Sequence, residues 1–281
     1  MLSTKSKIVI ARVLLVPVIT LRSLLGLPNK VVTSRRGLVW SLDLKEGIDL
    51  AIYVLGGFEV RTLRQYKRLI NEGDVVLDIG ANIGSHTLPL AKLVGLTGKV
   101  YAFEPTAYAF EKQHKNIALN PLLISRISSH QIMLTSTDSD SLPEAIYSSW
   151  PLESADDLHG VHHGRLMGTK GCMTSSLDTF VIDTNIERID VIKLDVDGNE
   201  CDVLAGANNV LIKWKPKIML ELAPHVYDSS PQKFDQLLAD LWALGYQLSN
   251  MSTGQSLPED STAIRSIIPK AGSLNALAVA R

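Results

Sequence analysis

Two groups of acidic residues, each at the end of an apolar run, carry most of the chemistry the sequence can offer. The first begins in Val75-Val76-Leu77-Asp78-Ile79-Gly80-Ala81-Asn82-Ile83-Gly84, where a glycine turn joins a buried strand to a helix. Gly80 and Gly84 permit positive φ and close backbone approach, and the following helix begins with N–H groups that a ligand can use. The dinucleotide fingerprint GxGxxG requires glycine at relative positions 1, 3 and 6, but the chain has Gly80, Asn82 and Ser85 there. Asp78, just before the first glycine, repels a pyrophosphate and attracts an ammonium group. Glu104 ends the next strand, 20 residues beyond Gly84, where a carboxylate can accept both hydroxyls of a ribose.

A nucleoside with a cationic tail satisfies both acids, and S-adenosylmethionine has that composition: an α-ammonium, a sulfonium and a free ribose. The second group lies in Lys193-Leu194-Asp195-Val196-Asp197-Gly198-Asn199-Glu200, with Glu221 and His225 near the exit of a later strand. If the two strands are neighbours, Asp195, Glu221 and His225 converge on one crevice, as general-base catalysis requires. Asp195 or His225 is then the base and Glu221 orients it. No residue is assigned as a metal ligand, and a Mg²⁺ shared by Asp195 and Glu221 is the alternative. Glu200, in the first turn of a helix, is accounted for equally well by the helix dipole.

These groups must be held by elements that the hydrophobic pattern predicts. Strands are expected at 38–44, 75–79, 99–104, 127–134, 190–195, 217–222, 246–250 and 275–280. Helices are expected at 47–55, 59–71, 84–94, 106–119, 200–212 and 231–244. Their alternation predicts an α/β fold with a doubly wound, mainly parallel sheet and helices on both faces, its ligands bound beyond the carboxyl ends of the strands. Residues 135–176, rich in Ser, Asp, His and Gly, break the alternation and form a candidate lid. The His159-Gly160-Val161-His162-His163 run inside it is a weak metal signal, since one flexible loop seldom preforms a site.

Gly56-Gly57-Phe58-Glu59, the Gly73–Gly84 block, Phe103-Glu104-Pro105, Leu177-Asp178, Lys193–Glu200 and Leu204-Ala205-Gly206-Ala207 occur in an order and spacing that resembles the FkbM family of S-adenosylmethionine-dependent methyltransferases. The likeness covers about residues 36–280. It implies a class I methyltransferase (Rossmann-like) fold and O-methylation of a hydroxyl on a sugar, glycan, lipid or other natural product. Its cofactor residues fall on Asp78, Gly80, Asn82, Gly84 and Glu104. Asp197 stands where the family often has Glu, and the 135–176 segment is long. Both departures bear on the acceptor more than on the cofactor.

Of the 281 residues, 46% are hydrophobic and 20% charged, which excludes a disordered chain. The net charge of −1 conceals an asymmetry. Residues 1–42 contain Lys5, Lys7, Arg12, Arg22, Lys30, Arg35 and Arg36 and no acid, giving +7, which leaves 21 basic and 29 acidic residues, or −8, in the remainder. The expected organisation is a basic helical extension, 1–36, followed by a methyltransferase domain, 37–281. Arg12, Arg22 and Pro17 interrupt the apolar run 8–27, so neither a spanning helix nor a cleaved signal is expected. The helix either packs on the body or lies at a membrane surface. The expected location is therefore cytoplasmic, with peripheral membrane contact through residues 1–36 as the second case. Two cysteines without metal-type spacing suit a reducing compartment. The acidic body disfavours a nucleic-acid substrate, and the expected acceptor is a small-molecule, glycan or lipid-linked hydroxyl. An NAD-dependent oxidoreductase and a non-catalytic nucleoside-binding scaffold are the competing readings.

Overall fold

Short β-branched runs closed by glycine or acid become the strands, and amphipathic stretches between them become the helices. The computed structural model describes residues 4–148, 152 and 165–281. The chain opens with α1 (Thr4–Leu24), a hairpin of β1 (Lys30–Arg35) and β2 (Leu38–Asp43), then α2 (Gly47–Leu55) and α3 (Val60–Leu69). The alternating part continues through β3 (Val75–Ile79), α4 (Thr87–Leu93), β4 (Lys99–Phe103), α5 (Ala107–Ala118), β5 (Ile127–His130) and β6 (Ile132–Leu134). Next come β7 (Ala145–Ser148), β8 (Arg165–Gly168), β9 (Met173–Ser175) and α6 (Leu177–Asp183). The second half holds β10 (Val191–Leu194), α7 (Glu200–Ala205), α8 (Asn208–Trp214), β11 (Lys217–Leu222), α9 (Pro231–Ala243), β12 (Tyr246–Asn250), α10 (Ser261–Ile267) and β13 (Leu274–Ala280).

Seven strands form the central sheet in the order β12-β13-β11-β10-β3-β4-β5. All neighbours from β11 to β5 are parallel, and β13 alone runs against them. The order reverses between β3 and β10, because the chain winds outward from β3 through β4 to β5 and returns to β10 on the other side. A crevice opens at such a switch point.

Each face of the sheet has its own core. On one, Leu77, Ile79, Phe103 and Leu194 meet Phe180 of α6 and Phe234, Leu237, Leu238 and Leu241 of α9. Those four α9 side chains are fully buried, each worth ~1.5–3 kcal/mol relative to exposure. On the other face, Val76, Val191 and Met219 are covered by the N-terminal elements and α4, with Trp40, Tyr66 and Leu88 at the centre.

Several boundaries differ from expectation for identifiable reasons. The single strand predicted at 127–134 is two, since β5 joins the main sheet while β6 pairs with β9. The helix predicted at 200–212 breaks at Gly206, where a β-carbon would stand 2.1 Å from the Thr135 carbonyl oxygen. The predicted division at 36/37 falls in the turn of the β1–β2 hairpin, which pairs over its whole length. The segment predicted as one long loop, 135–176, contains a β7–β8 hairpin and β9, and its histidine run at 159–163 lies outside the described residues.

Candidate functional site

The register of the sheet explains the polar core of the site. Lys193 lies opposite Asp78 across β10 and β3, and opposite Met219 across β10 and β11. Side chains repeat every second residue on one face, so Asp195 continues the Val191 row just past the end of β10, and Glu221 continues the Met219 row at the penultimate residue of β11. Lys193 Nζ stands 3.5 Å from Asp78 Oδ1 and 3.4 Å from Asp195 Oδ2, and donates to the Gly80 carbonyl at 2.9 Å. Burial works against the ammonium, but the charges of Asp195 and Asp78 hold its pKa above the ordinary lysine value.

Gly80 is required here by packing. Its φ is +78°, and a β-carbon would stand 1.9 Å from the Asp195 carbonyl oxygen. The turn it opens leaves its donors satisfied inside the protein. Gly80 and Ala81 N–H groups donate to the Phe103 carbonyl, Asn82 N–H to Glu104 Oε2 at 2.9 Å, Ile83 N–H to its neighbour's Asn82 Oδ1, and Gly84 N–H to the Ala81 carbonyl. These bonds occupy the donors of residues 80–84, so the turn itself is no cradle for a pyrophosphate; they leave untouched the expectation for the N–H groups at the start of α4. Glu104 also accepts from the N–H and hydroxyl of Thr106. Burial raises its pKa despite those hydrogen bonds.

Two cavities meet over the strand ends. The larger, about 330 Å³, is lined by Gly80, Asn82, Glu104, Asp195 and Asp197, with an apolar wall that includes Phe103, Ile132, Leu134 and Val203. The β7–β8 hairpin closes it with Tyr147 and Ser148, and Asn82 Nδ2 donates to Ser148 Oγ at 3.3 Å. The smaller, about 80 Å³, lies on the opposite face against Phe58, Glu59, His86, Lys193 and Glu221. Gly80, Asn82, Ser148, Asp195 and Asp197 border both.

Of the predicted residues, Gly80, Asn82, Glu104, Asp195 and Glu221 therefore line cavities, and oxygens of Asp195, Asp197 and Glu221 lie within 4.8 Å of one another. Three do not reach the lining. Asp78 is completely buried and takes a 2.6 Å hydrogen bond from Thr87 Oγ1, so the cation it faces is Lys193 and not a ligand. Gly84 supports the turn from behind, beside Gln113. His225 turns away from the crevice: the Gly272 backbone and Asp228 are its polar surroundings, and burial lowers its pKa. Glu200 proves to be a loop brace, accepting from the N–H groups of Val196 and Gly198 and from the Tyr227 hydroxyl.

Three residues to which the sequence assigned no role belong to the site. Lys193 stood in a quoted motif, but its role needed the strand register. Asp197 lines both cavities; its depth there and the charges of Asp195 and Glu200 push its carboxyl up to about 7, although its side chain still meets solvent. His86, immediately before α4, is buried with Nδ1 2.7 Å from the Tyr66 hydroxyl and with Nε2 lacking a hydrogen-bond partner. Burial and the neighbouring Lys193 charge lower its pKa, so the ring is neutral at pH 7. Its only sequence signal was a position shortly after the glycine turn.

A seven-stranded sheet of this order, with a glycine turn after β3 and an acid after β4, defines the class I methyltransferase fold. The Methyltransferase FkbM domain profile matches residues 78–248, and the chain belongs to that family, which is S-adenosylmethionine-dependent. Hexuronic acid methyltransferase AglP of Haloferax volcanii is 29% identical over 140 residues, 50% of this chain and 52% of that protein. The 2-O-methyltransferase NoeI of Sinorhizobium fredii is 29% identical over 159 residues, 53% of this chain and 64% of that one. The chain thus spans about half to two-thirds of these relatives. The solved structure of methyltransferase FkbM from Methylobacillus flagellatus aligns with a TM-score of 0.45 at 16% identity, covering 75% of this chain and 44% of that one.

Proposed function

We propose that the protein transfers a methyl group from S-adenosylmethionine to a hydroxyl of a sugar, glycan, lipid-linked or other natural-product acceptor. The observation that carries this reading is the pair of cavities sharing Asp195 and Asp197 as their border. The larger suits the cofactor. Glu104 keeps one of its roughly four lone-pair sites, on Oε2, for a ribose hydroxyl, the apolar wall suits an aromatic base, and the satisfied turn offers no donors to a pyrophosphate, which disfavours the NAD reading. When bound, the cofactor supplies an electrophilic methyl group.

The chain's own residues align the acceptor and take its proton. Asp197 is the base we assign, because a carboxyl near neutrality accepts a hydroxyl proton well at physiological pH. Asp195 flanks it on the border, and His86 Nε2 is available to hydrogen-bond the acceptor. The acceptor-side lining sets Glu59, Asp195, Asp197 and Glu221 against Lys193, so we favour an uncharged, hydroxyl-rich acceptor over a hexuronate. The relatives named for hexuronic acid and 2-O-methylation support oxygen as the atom methylated.

The test is titration calorimetry with S-adenosylmethionine, S-adenosylhomocysteine and NAD, followed by incubation with neutral and acidic saccharides and mass spectrometry. Binding of the first two and a gain of one methylene on a neutral saccharide are expected; binding of NAD alone would refute the reading. The grouping of Asp195, Asp197 and Glu221 within 4.8 Å favours a second version, in which a divalent cation binds the acceptor oxygen. Loss of activity with EDTA, restored by Mg²⁺, selects that version.

A further inference from the structure

Over its described side chains, Val13 and 15–24, helix α1 has an inner and an outer face, and both are mostly apolar. Leu15, Val18, Ile19 and Arg22 form the inner stripe. Leu15 enters the core beneath α2, Val18 and Ile19 pack against it, and Arg22 donates to the Pro28 carbonyl and the Tyr53 hydroxyl. The opposite face carries Val13, Val16, Pro17, Thr20, Leu21 and Leu24, all exposed. Val13 is 67% exposed, Val16 65%, Leu21 59% and Leu24 80%, and the turn beyond adds Leu25 at 63%. A helix resting on a soluble body ordinarily turns charged or polar groups outward, and a continuous exposed apolar surface marks a binding face.

We propose that this face docks the protein on an anionic lipid bilayer. Charge selects that occupant. Residues 1–42 hold seven basic residues and no acid, so two copies meeting through this region would oppose like charges, whereas acidic headgroups complement it. Lys30 and Arg36, just beyond the helix, are both exposed. A nucleic acid would satisfy the charge but offers nothing to bury Val13, Val16, Leu21 and Leu24. No described helix is long and apolar enough to cross a membrane. The helix therefore lies in the interface, its inner stripe on the body and its outer face among headgroups and upper acyl chains. Helix α2, on which it rests, contributes Ile48 to the acceptor-side cavity, which places the attachment next to the acceptor's side of the molecule.

The test is flotation of the full chain with phosphatidylcholine vesicles, with and without phosphatidylglycerol. The chain is expected to float with the anionic vesicles, less so as salt is raised, and to remain behind with phosphatidylcholine alone. The Val16→Ser/Leu24→Ser variant leaves the inner stripe intact. It should keep its thermal midpoint and lose about ten-fold in bound fraction. A measurement without any variant is amide exchange, which anionic vesicles should slow over residues 13–27. The proposal fails if the chain does not float with anionic vesicles, if the variant floats equally well, or if exchange is unchanged. It also fails if light scattering finds a dimer that this variant converts to monomer, because the face would then belong to a second copy.

Discussion

At the residue scale, Asp197 has the sharpest pH signature. Desolvation within the site and the charges of Asp195 and Glu200 raise its carboxyl to about 7 although the side chain is exposed, and a base acts only when deprotonated. The rate of methyl transfer should therefore fall as pH drops through about 7, and Asp197→Asn should lose most of the rate, by the ~10²–10⁴-fold typical of a proton-transfer group. Stability should respond in the opposite sense. A folded-state pKa above the unfolded value means the native state holds its proton more tightly, so the contribution is full in acid and lost as pH rises through about 7. Because the side chain is exposed, solvent screens the effect: Asp197→Asn should melt slightly higher than the parent at about pH 8, a gain that shrinks on acidification, and a lower midpoint at that pH contradicts it. Lys193 poses the complementary case. Removing it by Lys193→Met leaves Asp78 completely buried without its cation, at a cost of ~3–5 kcal/mol by urea denaturation, and adding Asp78→Asn should recover a large part. The sequence disclosed the acids at these positions because an acid beside glycine at a strand end stands out against its apolar neighbours. It did not disclose Lys193 as their partner, since the pairing depends on register across strands separated by more than a hundred residues.

At the scale of elements, alternation exposed the strands that are buried on both sides and missed those that satisfy their backbones locally. β3, β4, β10 and β11 were legible because helices cover both of their faces. β1 was not, because its exposed positions include Lys30, Val32 and Ser34, an outward row that a core-seeking pattern does not register. Helices α6 and α10 are each only seven residues long, too short for a 3.6-residue period to declare itself. The break between α7 and α8 needs tertiary information of another kind. Ala207, at the cap position of α8, offers no side-chain acceptor, and Asp178 of α6 supplies it instead, accepting from the N–H groups of Asn209 and Val210 at 2.9 Å each. Asp178→Ala should then cost ~1–2 kcal/mol, as loss of a helix cap does, while Asp178→Asn should retain much of it. Equal destabilisation by both in urea titrations would show that the carboxylate acts by charge and not as a cap.

For the whole molecule, the two cavities depend on segments from opposite ends of the topology. The sheet brings Glu104, Asp195 and Glu221 together, but it leaves the larger cavity open above the strand ends. Its cover comes from the β7–β8 hairpin, which the sequence revealed only as a long interruption rich in polar residues. Among the described residues, the hairpin meets the body through Asn82 to Ser148 at 3.3 Å, Arg165 to Glu46 at 3.3 Å, and Leu152, between its strands, which is buried in the core and donates its N–H to the Lys45 carbonyl at 2.9 Å. Arg165 is substantially exposed, so this ion pair is worth little in water. A cover that borders the cavity at Tyr147 and Ser148 becomes more ordered when a ligand adds contacts beneath it. S-adenosylhomocysteine, filling the larger cavity against Tyr147 and Ser148, should therefore slow amide exchange across 145–148 and 165–168. Amides of β3 and β10 are already buried and bonded on both sides and should change little, and those of α1 on the far side of α2 should not change. Ser148→Ala removes the bond to Asn82, so it should raise the exchange rate of the hairpin in the free protein and weaken S-adenosylhomocysteine binding by a few-fold, about 0.5–1.5 kcal/mol. Protection spread evenly over the chain, with none concentrated at the hairpin, would mean that the ligand stiffens the fold as a whole and that the 135–176 segment is a fixed wall and not a lid.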